Sequence, residues 1–243
     1  MSVIEAAHVW GERFIIERDS LLLAKATSAY AKADADGPWH GTKSISVNVA
    51  VRSLLSDAYA AVVRDVLADV ELDPGMLTLE ISEKDPIHPE PNEDWGDPLP
   101  YFHRRLVRLA HDLEIGFAVD DFGVGYSSLA RLAELPLTQI KVDRAVLHHP
   151  LALDELDLVM RVARHNLGQS PHSRAVIIEG FDGESEVTLQ HIYEKRILHV
   201  QGHAFGETST SLHMLDDAVR DQIAAMVRGD HDNRSASAAK RNR

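Results

Sequence analysis

The chain has 243 residues, of which 44% are hydrophobic and 26% charged, a composition typical of a globular protein and not of a disordered one. Its 38 acidic residues outnumber its 25 lysines and arginines, and the resulting charge of −13 argues against general nucleic-acid binding. Cysteine is absent, which excludes disulfides, zinc–thiolate sites and thiol catalysis. Because no apolar run is long enough to cross a bilayer and no export signal is visible, we expect a cytoplasmic protein without membrane contact.

Helical patterns alternate with short β-branched runs along the chain. A helix up to Lys32, closed by a turn at 34–38, precedes the first strand. Strands that alternate with helices indicate a parallel sheet with right-handed crossovers, either open or part of a barrel. In chain order we predict a strand at 45–49, a helix at 54–70, a strand at 77–81, a helix at 101–113, strands at 116–120 and 139–142, a helix at 153–167, strands at 175–178 and 199–204, and a helix at 211–227.

Two segments depart from this alternation. Residues 85–100 contain five prolines and five acidic residues, which predicts an irregular surface loop. Residues 229–243 are rich in Ser, Ala, Asn and basic residues and lack large apolar ones, which predicts a disordered basic tail. We therefore expect one domain over residues 1–228.

Polar side chains occupy positions where a parallel sheet should be almost wholly apolar. A buried carboxylate is costly unless it is paired or bound to an ion, and the C-terminal strand ends of a barrel converge on one face. We therefore predict one shared site, although each acid alone could be a helix N-cap and the lysine a simple ion-pair partner. The residues are Asn48, Glu80, Asp120, Asp121, Lys141, Asp143, Glu179 and Gln201.

The chemistry of these residues suits divalent cations. Asparagine and carboxylate oxygens are hard ligands, and the absence of cysteine favours Mg²⁺ or Mn²⁺ over zinc. The adjacent Asp120 and Asp121 could bridge two ions, and a two-metal site promotes in-line displacement at a phosphodiester. Lys141 could then offset the negative charge that develops on the phosphate.

Five segments of the chain match the motifs of a known family. The run FAVDDFGVGYSSLARLAELPLTQIKVDRAVL at 117–147 is similar, almost position for position, to the signature block of the EAL domain family. The resemblance as a whole extends over about residues 3 to 210, and it implies a modified TIM (β/α) barrel that binds or hydrolyses cyclic di-GMP. The four shorter segments are SVNVAVRSL at 46–54, LTLEISE at 77–83, IIEGFD at 177–182 and VQGHAFGE at 200–207.

The resemblance also implies roles for individual residues. Asn48, Glu80 and Asp120 would be metal ligands, with Asp121 serving the second Mg²⁺ or Mn²⁺ ion. Lys141 and Glu179 would be catalytic. The remaining family positions, which contact the ligand or support the metals and their loop, correspond to Glu83, Ser127, Ser128, Asp143, Asp182 and Gln201.

Three features depart from the family pattern. The tripeptide that names the family, whose glutamate is a metal ligand, is not recognisable, and Glu5 is its nearest substitute. We expect the chain to begin after that strand, which leaves an incomplete TIM-like barrel with about six of eight strands and a metal site that lacks one carboxylate. The open edges would need a second copy or a partner protein to cover them. Asp182 replaces the usual glutamate, and the proline-rich loop at 85–100 replaces a helical connection.

Three functional interpretations follow. The first is a degenerate domain that acts as a nucleotide-binding or protein-interaction module. The second is an active metal-dependent phosphodiesterase that converts cyclic di-GMP to linear pGpG, with the lacking carboxylate supplied by Glu5 or by another chain. The third is that Met1 is not the native start and that the natural protein carries the strand upstream.

Overall fold

The fold is a six-stranded parallel sheet with helices packed along it, seen in a computed structural model that describes residues 11–36, 44–82, 84–88, 97–123, 134–166, 175–206, 209 and 215–229. The strands follow one another in chain order, so each connection is a crossover that returns to the same end of the sheet. Within these ranges the strands are β1 (Ile45–Val49), β2 (Leu77–Ser82), β3 (Gly116–Phe122), β4 (Gln139–Val142), β5 (Ala175–Ile178) and β6 (His199–Val200).

The helices were predicted with less success than the strands. The helix expected at 54–70 is two helices separated at Ser56, and the last helix begins at Asp217 in the described part of the chain. Two short helices, after β4 and before β6, were not predicted. The helices are α1 (Glu12–Asp36), α2 (Val51–Leu55), α3 (Asp57–Asp69), α4 (Pro98–Leu113), α5 (Arg144–Leu147), α6 (Ala152–Asn166), α7 (Leu189–Glu194) and α8 (Asp217–Arg228), with a 3-10 turn at Pro74–Met76.

Two boundaries differ from the prediction for identifiable reasons. The loop predicted to reach residue 100 ends earlier, because the Asp97 side chain accepts a hydrogen bond from the Leu99 N–H at 3.1 Å and starts α4 at Pro98. The last strand stops at Val200, and Gly202 lies in the turn that follows it. A strand to residue 204 was therefore wrong.

The two faces of the sheet differ in polarity. Alternate strand residues such as Leu79, Val119 and Ile140 are buried against the helices and form the hydrophobic core. The opposite face is also buried at its centre but carries polar side chains, including Thr78 and Gln139. The site described below lies on this polar inner face, near the C-terminal ends of the strands.

β1 is an edge of the sheet. It pairs with β2, no further strand of the described ranges pairs with its other side, and Ser46 and Asn48 are exposed. The sheet is thus an α/β, TIM-like barrel that remains open between β1 and β6, with six strands in the described part of the chain. The predicted fold class is confirmed.

Helix α1 is fastened to the end of β1 by a buried aspartate. Asp19 is 1% exposed, and its Oδ2 accepts hydrogen bonds from the Ala50 N–H at 2.9 Å and the Ser53 hydroxyl at 2.6 Å. These bonds satisfy donors at the start of α2, where a helix leaves backbone N–H groups unpaired. α1 therefore supports the strand end that carries Asn48.

None of the helices in the described ranges is both long and apolar enough to cross a bilayer. The predicted tail after residue 229 lies outside the described residues, as do Glu5 and the segment 89–96 of the proline-rich loop.

Candidate functional site

Four charged side chains meet near the C-terminal ends of β2, β3, β4 and β5. The Lys141 ammonium nitrogen lies 2.8 Å from Glu80 Oε2, 2.5 Å from Glu179 Oε1 and 3.4 Å from Asp120 Oδ1. The four side chains are between 5% and 15% exposed. The Lys141 ammonium offsets only part of the negative charge, because one cation faces three carboxylates.

The parallel register explains why residues distant in sequence meet. Asn48 on β1 stands beside Glu80 on β2, Glu80 stands beside Ala118 on β3, and Lys141 on β4 stands beside Ile177 on β5. Successive side chains on a strand point to opposite faces of the sheet, and residues in register on neighbouring strands point to the same face. These polar residues therefore all lie on the inner face, near the ends of the strands. The structure therefore brings together four of the residues predicted to share a site: Glu80, Asp120, Lys141 and Glu179.

A β-bulge shapes the centre of the site. Val119 pairs with Ile140 and Phe122 pairs with Val142, so β3 carries one residue more than β4 between these two pairs. Within the bulge Asp121 has a φ of +57°, in the left-handed region. The bulge allows two consecutive aspartates to contribute to one site.

The carboxylates at the bulge are suited to a divalent cation. One oxygen each from Asp120, Asp121 and Glu179 lies within 4.8 Å of the other two. Asp120 Oδ1 is buried and accepts no hydrogen bond. An oxygen that has only the Lys141 ammonium nearby, at 3.4 Å, and lies among other hard oxygen donors is compatible with Mg²⁺ or Mn²⁺.

The environment shifts the pKa values of two groups in the cluster. Burial, followed by the neighbouring Asp120 carboxylate, raises the pKa of Glu179 to about 7, against the opposing effect of Lys141. Burial works to lower the pKa of Lys141, but the charge of Glu80 and hydrogen bonds to Glu179 and Glu80 outweigh it and hold that pKa above its usual range. The ammonium is therefore charged at neutral pH.

The other predicted residues lie around this cluster in different ways. Gln201 donates a hydrogen bond to Glu179 Oε1. Asp143 caps α5, where it accepts from the Ala145 N–H at 2.7 Å. Glu83, Ser127 and Ser128 lie outside the described residues, and Asn48 is exposed on the edge strand.

Asp182 lies in the loop after β5. Its carboxylate accepts from the Glu184 N–H at 2.8 Å and lies 3.1 Å from His148 Nε2. The backbone hydrogen bond from Glu184 lowers the pKa of Asp182, and contact with His148 lowers it further. Asp182 thus connects the loop after β5 with His148, which directly follows α5.

Sequence reasoning missed one charged neighbour of the cluster. The Lys84 ammonium lies 3.3 Å from Asp121 Oδ2, and both side chains are partly exposed. Lys84 directly follows Glu83 in the motif at the end of β2, and this position in the sequence could have indicated that it lies near the site.

A cavity of about 530 Å³ lies apart from the charged cluster, between α7, β6 and α8. Its walls are mainly apolar and include Ile192, Leu198 and Val227. It shares Gln201 with the surroundings of the charged cluster.

Comparison with known proteins identifies relatives of the chain. A family model described as EAL domain matches residues 6–162. The cyclic di-GMP phosphodiesterase RocR of Pseudomonas aeruginosa is 30% identical over 177 residues, which cover 71% of this chain and 41% of RocR. In the curated relatives compared, the matched part spans 18% to 41% of their own length.

Solved structures with the same fold are more distant in sequence. The EAL domain of Mycobacterium smegmatis DcpA superimposes with a TM-score of 0.60 at 21% identity, covering 85% of this chain and 82% of that domain. The manganese and cyclic di-GMP complex of Klebsiella pneumoniae BlrP1 gives a TM-score of 0.58 at 20% identity, covering 81% of this chain and 44% of BlrP1. These similarities concern the fold.

Proposed function

The chain belongs to the EAL domain family, and from this premise we propose that it binds cyclic di-GMP at the strand ends and acts as a regulatory module. The observation that carries the proposal is the cluster of Glu80, Asp120 and Glu179 around Lys141. Buried charges at the C-terminal ends of parallel strands are typical of a binding or catalytic site. The relative RocR, a cyclic di-GMP phosphodiesterase, and the nucleotide complex of BlrP1 support the choice of ligand.

The proposal includes Mg²⁺ or Mn²⁺ as cofactor. Asn48, Glu80, Asp120 and Asp121 would hold the cations. Bound there, a divalent ion would supply charge neutralisation for the phosphates and would lower the pKa of a coordinated water. The manganese in BlrP1 supports this assignment.

Two features favour a regulatory module with a weakened metal site. Glu80 is committed to an ion pair with Lys141, at 2.8 Å. Among the residues that the structure describes, the acidic group able to hold an ion consists of Asp120, Asp121 and Glu179. While Glu80 pairs with Lys141, three carboxylates are left for two divalent cations, so we expect weak metal retention and slow turnover.

The second candidate is an active phosphodiesterase that forms linear pGpG. It is favoured by the contact between Lys141 and Glu179, at 2.5 Å. In the reaction a water oxygen bonds to phosphorus while one phosphate ester bond breaks, and the released ribose oxygen takes up a proton to become a hydroxyl group of linear pGpG. Glu179, with a pKa of about 7, is suited to accept the proton of that water, and Lys141 to offset the charge on the phosphate oxygens.

We propose that several residues around the charged cluster support it. Gln201 orients Glu179 through its hydrogen bond, and Asp182 holds the neighbouring loop. Asp143 supports α5 as its N-cap. Glu83 would anchor the loop that contains Ser127 and Ser128.

Calorimetry with cyclic di-GMP in Ca²⁺ and a hydrolysis assay in Mn²⁺ separate the two candidates. Binding without pGpG formation supports the regulatory module. Turnover that Glu80→Ala abolishes, and that Asp157→Asn on α6 leaves unchanged, supports the phosphodiesterase. If neither binding nor turnover is detected, both candidates are wrong.

The proposal also covers the location of the chain in the cell and its assembly. The messenger is cytoplasmic, so a chain that binds it would act in the cytoplasm. An edge strand such as β1 invites pairing, so a second copy or a partner protein would cover the open side of the barrel. Light scattering at increasing protein concentration tests for the homodimer.

A further inference from the structure

We propose that Lys84 is a built-in counter-ion of Asp121, which a divalent cation must displace in order to use that carboxylate. The inference rests on the proposed metal site and adds a residue that sets its affinity. The Lys84 ammonium lies 3.3 Å from Asp121 Oδ2, within ion-pair distance. The same carboxylate belongs to the group with oxygens close enough to share an ion.

The backbone around Lys84 is fixed by its neighbours. The Lys84 N–H donates to the Ser82 hydroxyl at 3.3 Å, and the Asp85 N–H donates to the Ser82 carbonyl at 3.1 Å. The Asp85 carboxylate in turn accepts from the Val51 N–H, the first residue of α2, at 2.6 Å. The turn that carries Lys84 is therefore attached to both β2 and α2.

The partner carboxylate is fixed as well. Asp121 belongs to the β3 bulge and has a φ of +57°. Because both backbones are held, the two side chains stay within reach of each other, while each remains partly exposed to water.

The exposure of the pair makes it displaceable. The Lys84 side chain is 53% exposed and that of Asp121 36% exposed, whereas Lys141 is 8% exposed. Lys141 is held by three buried contacts, but the Lys84 ammonium can move into water without leaving a buried charge. A divalent ion approaching Asp121 thus competes with Lys84 and is repelled by its charge.

The test is a calorimetric Mn²⁺ titration without nucleotide on the wild-type chain and two variants. Lys84→Met removes the charge and retains the chain length, and we expect it to lower the Mn²⁺ dissociation constant roughly three- to tenfold. Lys84→Arg retains the charge and should stay within about twofold of wild type. The gain of Lys84→Met should shrink at high ionic strength, which screens exposed charges.

Two controls identify the cause. Lys195→Met removes a cation whose ion pair, with Asp157 at 2.7 Å, lies outside the charged cluster, and it should leave Mn²⁺ binding unchanged. Asp121→Asn should cancel the gain of Lys84→Met when the two changes are combined.

The three possible outcomes of the titration lead to different conclusions. If Lys84→Met binds Mn²⁺ no more tightly than the wild type, the inference is wrong and the proposed function stands. If neither protein binds Mn²⁺, the inference and the proposed metal site both fail. If the variant shows the gain but the chain does not bind cyclic di-GMP, the inference stands and the proposed ligand is wrong.

Discussion

Glu80 and Lys141 form a buried ion pair across an intervening strand, with 2.8 Å between Oε2 and Nζ. They lie on β2 and β4, and β3 runs between them. Ala118, the β3 residue beside Glu80, is fully buried and has only a methyl side chain. The small residue leaves space above β3 for the two longer side chains to meet.

Removal of the cation from this pair should destabilise the chain. Lys141→Met leaves three carboxylates together without a counter-ion, and we expect a loss of about 3 kcal/mol in the free energy of unfolding at pH 8. The loss should be smaller at pH 5.5, because Glu179, whose pKa of about 7 rises further once Lys141 no longer opposes it, is protonated there and one negative charge is removed from the folded state. Urea denaturation at the two pH values measures both effects.

Lys195→Met is the matched control for this variant, since Lys195 pairs with Asp157, which is 58% exposed. The control should lose less than about 1 kcal/mol. An equal loss for the two variants would contradict the importance of the buried cluster.

The attachment of α1 to β1 gives a second prediction. Asp19→Ala leaves the Ala50 N–H and the Ser53 hydroxyl without their acceptor, and we expect a loss of about 1 to 3 kcal/mol. Glu17→Ala, which breaks an exposed pair with Arg13, should change stability by less than roughly 0.5 kcal/mol. Thermal unfolding followed by circular dichroism compares them, and similar midpoints would refute a structural role for Asp19.

Addition of metal gives a third prediction. A cation that binds the folded chain alone stabilises it, by about 2.7 kcal/mol at a concentration of 100 times its dissociation constant. Mn²⁺ should therefore raise the unfolding midpoint of the wild type, and EDTA should reverse the rise. Asp120→Asn should abolish most of the rise and Asp157→Asn should retain it; an unchanged rise in Asp120→Asn would place the ion elsewhere.

Gly202 provides a fourth prediction. A Cβ atom at this position would lie 2.3 Å from the backbone nitrogen and oxygen of Phe181, which side-chain rotation cannot relieve. Gly202→Ala should cost at least about 2 kcal/mol and should displace the adjacent Gln201 from Glu179.

Gly183→Ala serves as its control. This glycine also has a positive φ, but the nearest atom to an added Cβ is 3.9 Å away, so the substitution costs backbone strain of roughly 1 kcal/mol. Differential scanning calorimetry gives both values, and a milder effect at position 202 than at 183 would disprove the close approach.

The strands could be predicted because each is a short run of β-branched and apolar residues whose burial leaves little alternative. The runs Ile45–Val49, Gln139–Val142 and Ala175–Ile178 have the predicted bounds. The helices α5 and α7 have only four and six residues, too few to show a helical period, and they depend on packing against the rest of the fold. The break at Ser56 between α2 and α3 leaves the apolar pattern intact, which is why that pattern suggested a single helix.

Four residues of the site could be predicted to meet because each lies near the C-terminal end of a parallel strand, and these ends converge on one face of the sheet. They are Glu80, Asp120, Lys141 and Glu179. The ion pair of Lys84 with Asp121 could not, because it depends on a turn and a bulge that leave no periodic trace in the sequence. Asp143 shows the opposite case: an acid at a strand end that, among the described contacts, serves as the N-cap of α5.

The bulge in β3 ties the chemistry of the site to the backbone. In a regular pleat, neighbouring residues point to opposite sides, and one of two adjacent aspartates would face the helices. The extra residue between Val119 and Phe122 lets the pair face one way. Grafting the same side chains onto an unbulged sheet would therefore not reproduce the site, because one of the two aspartates would point away from it.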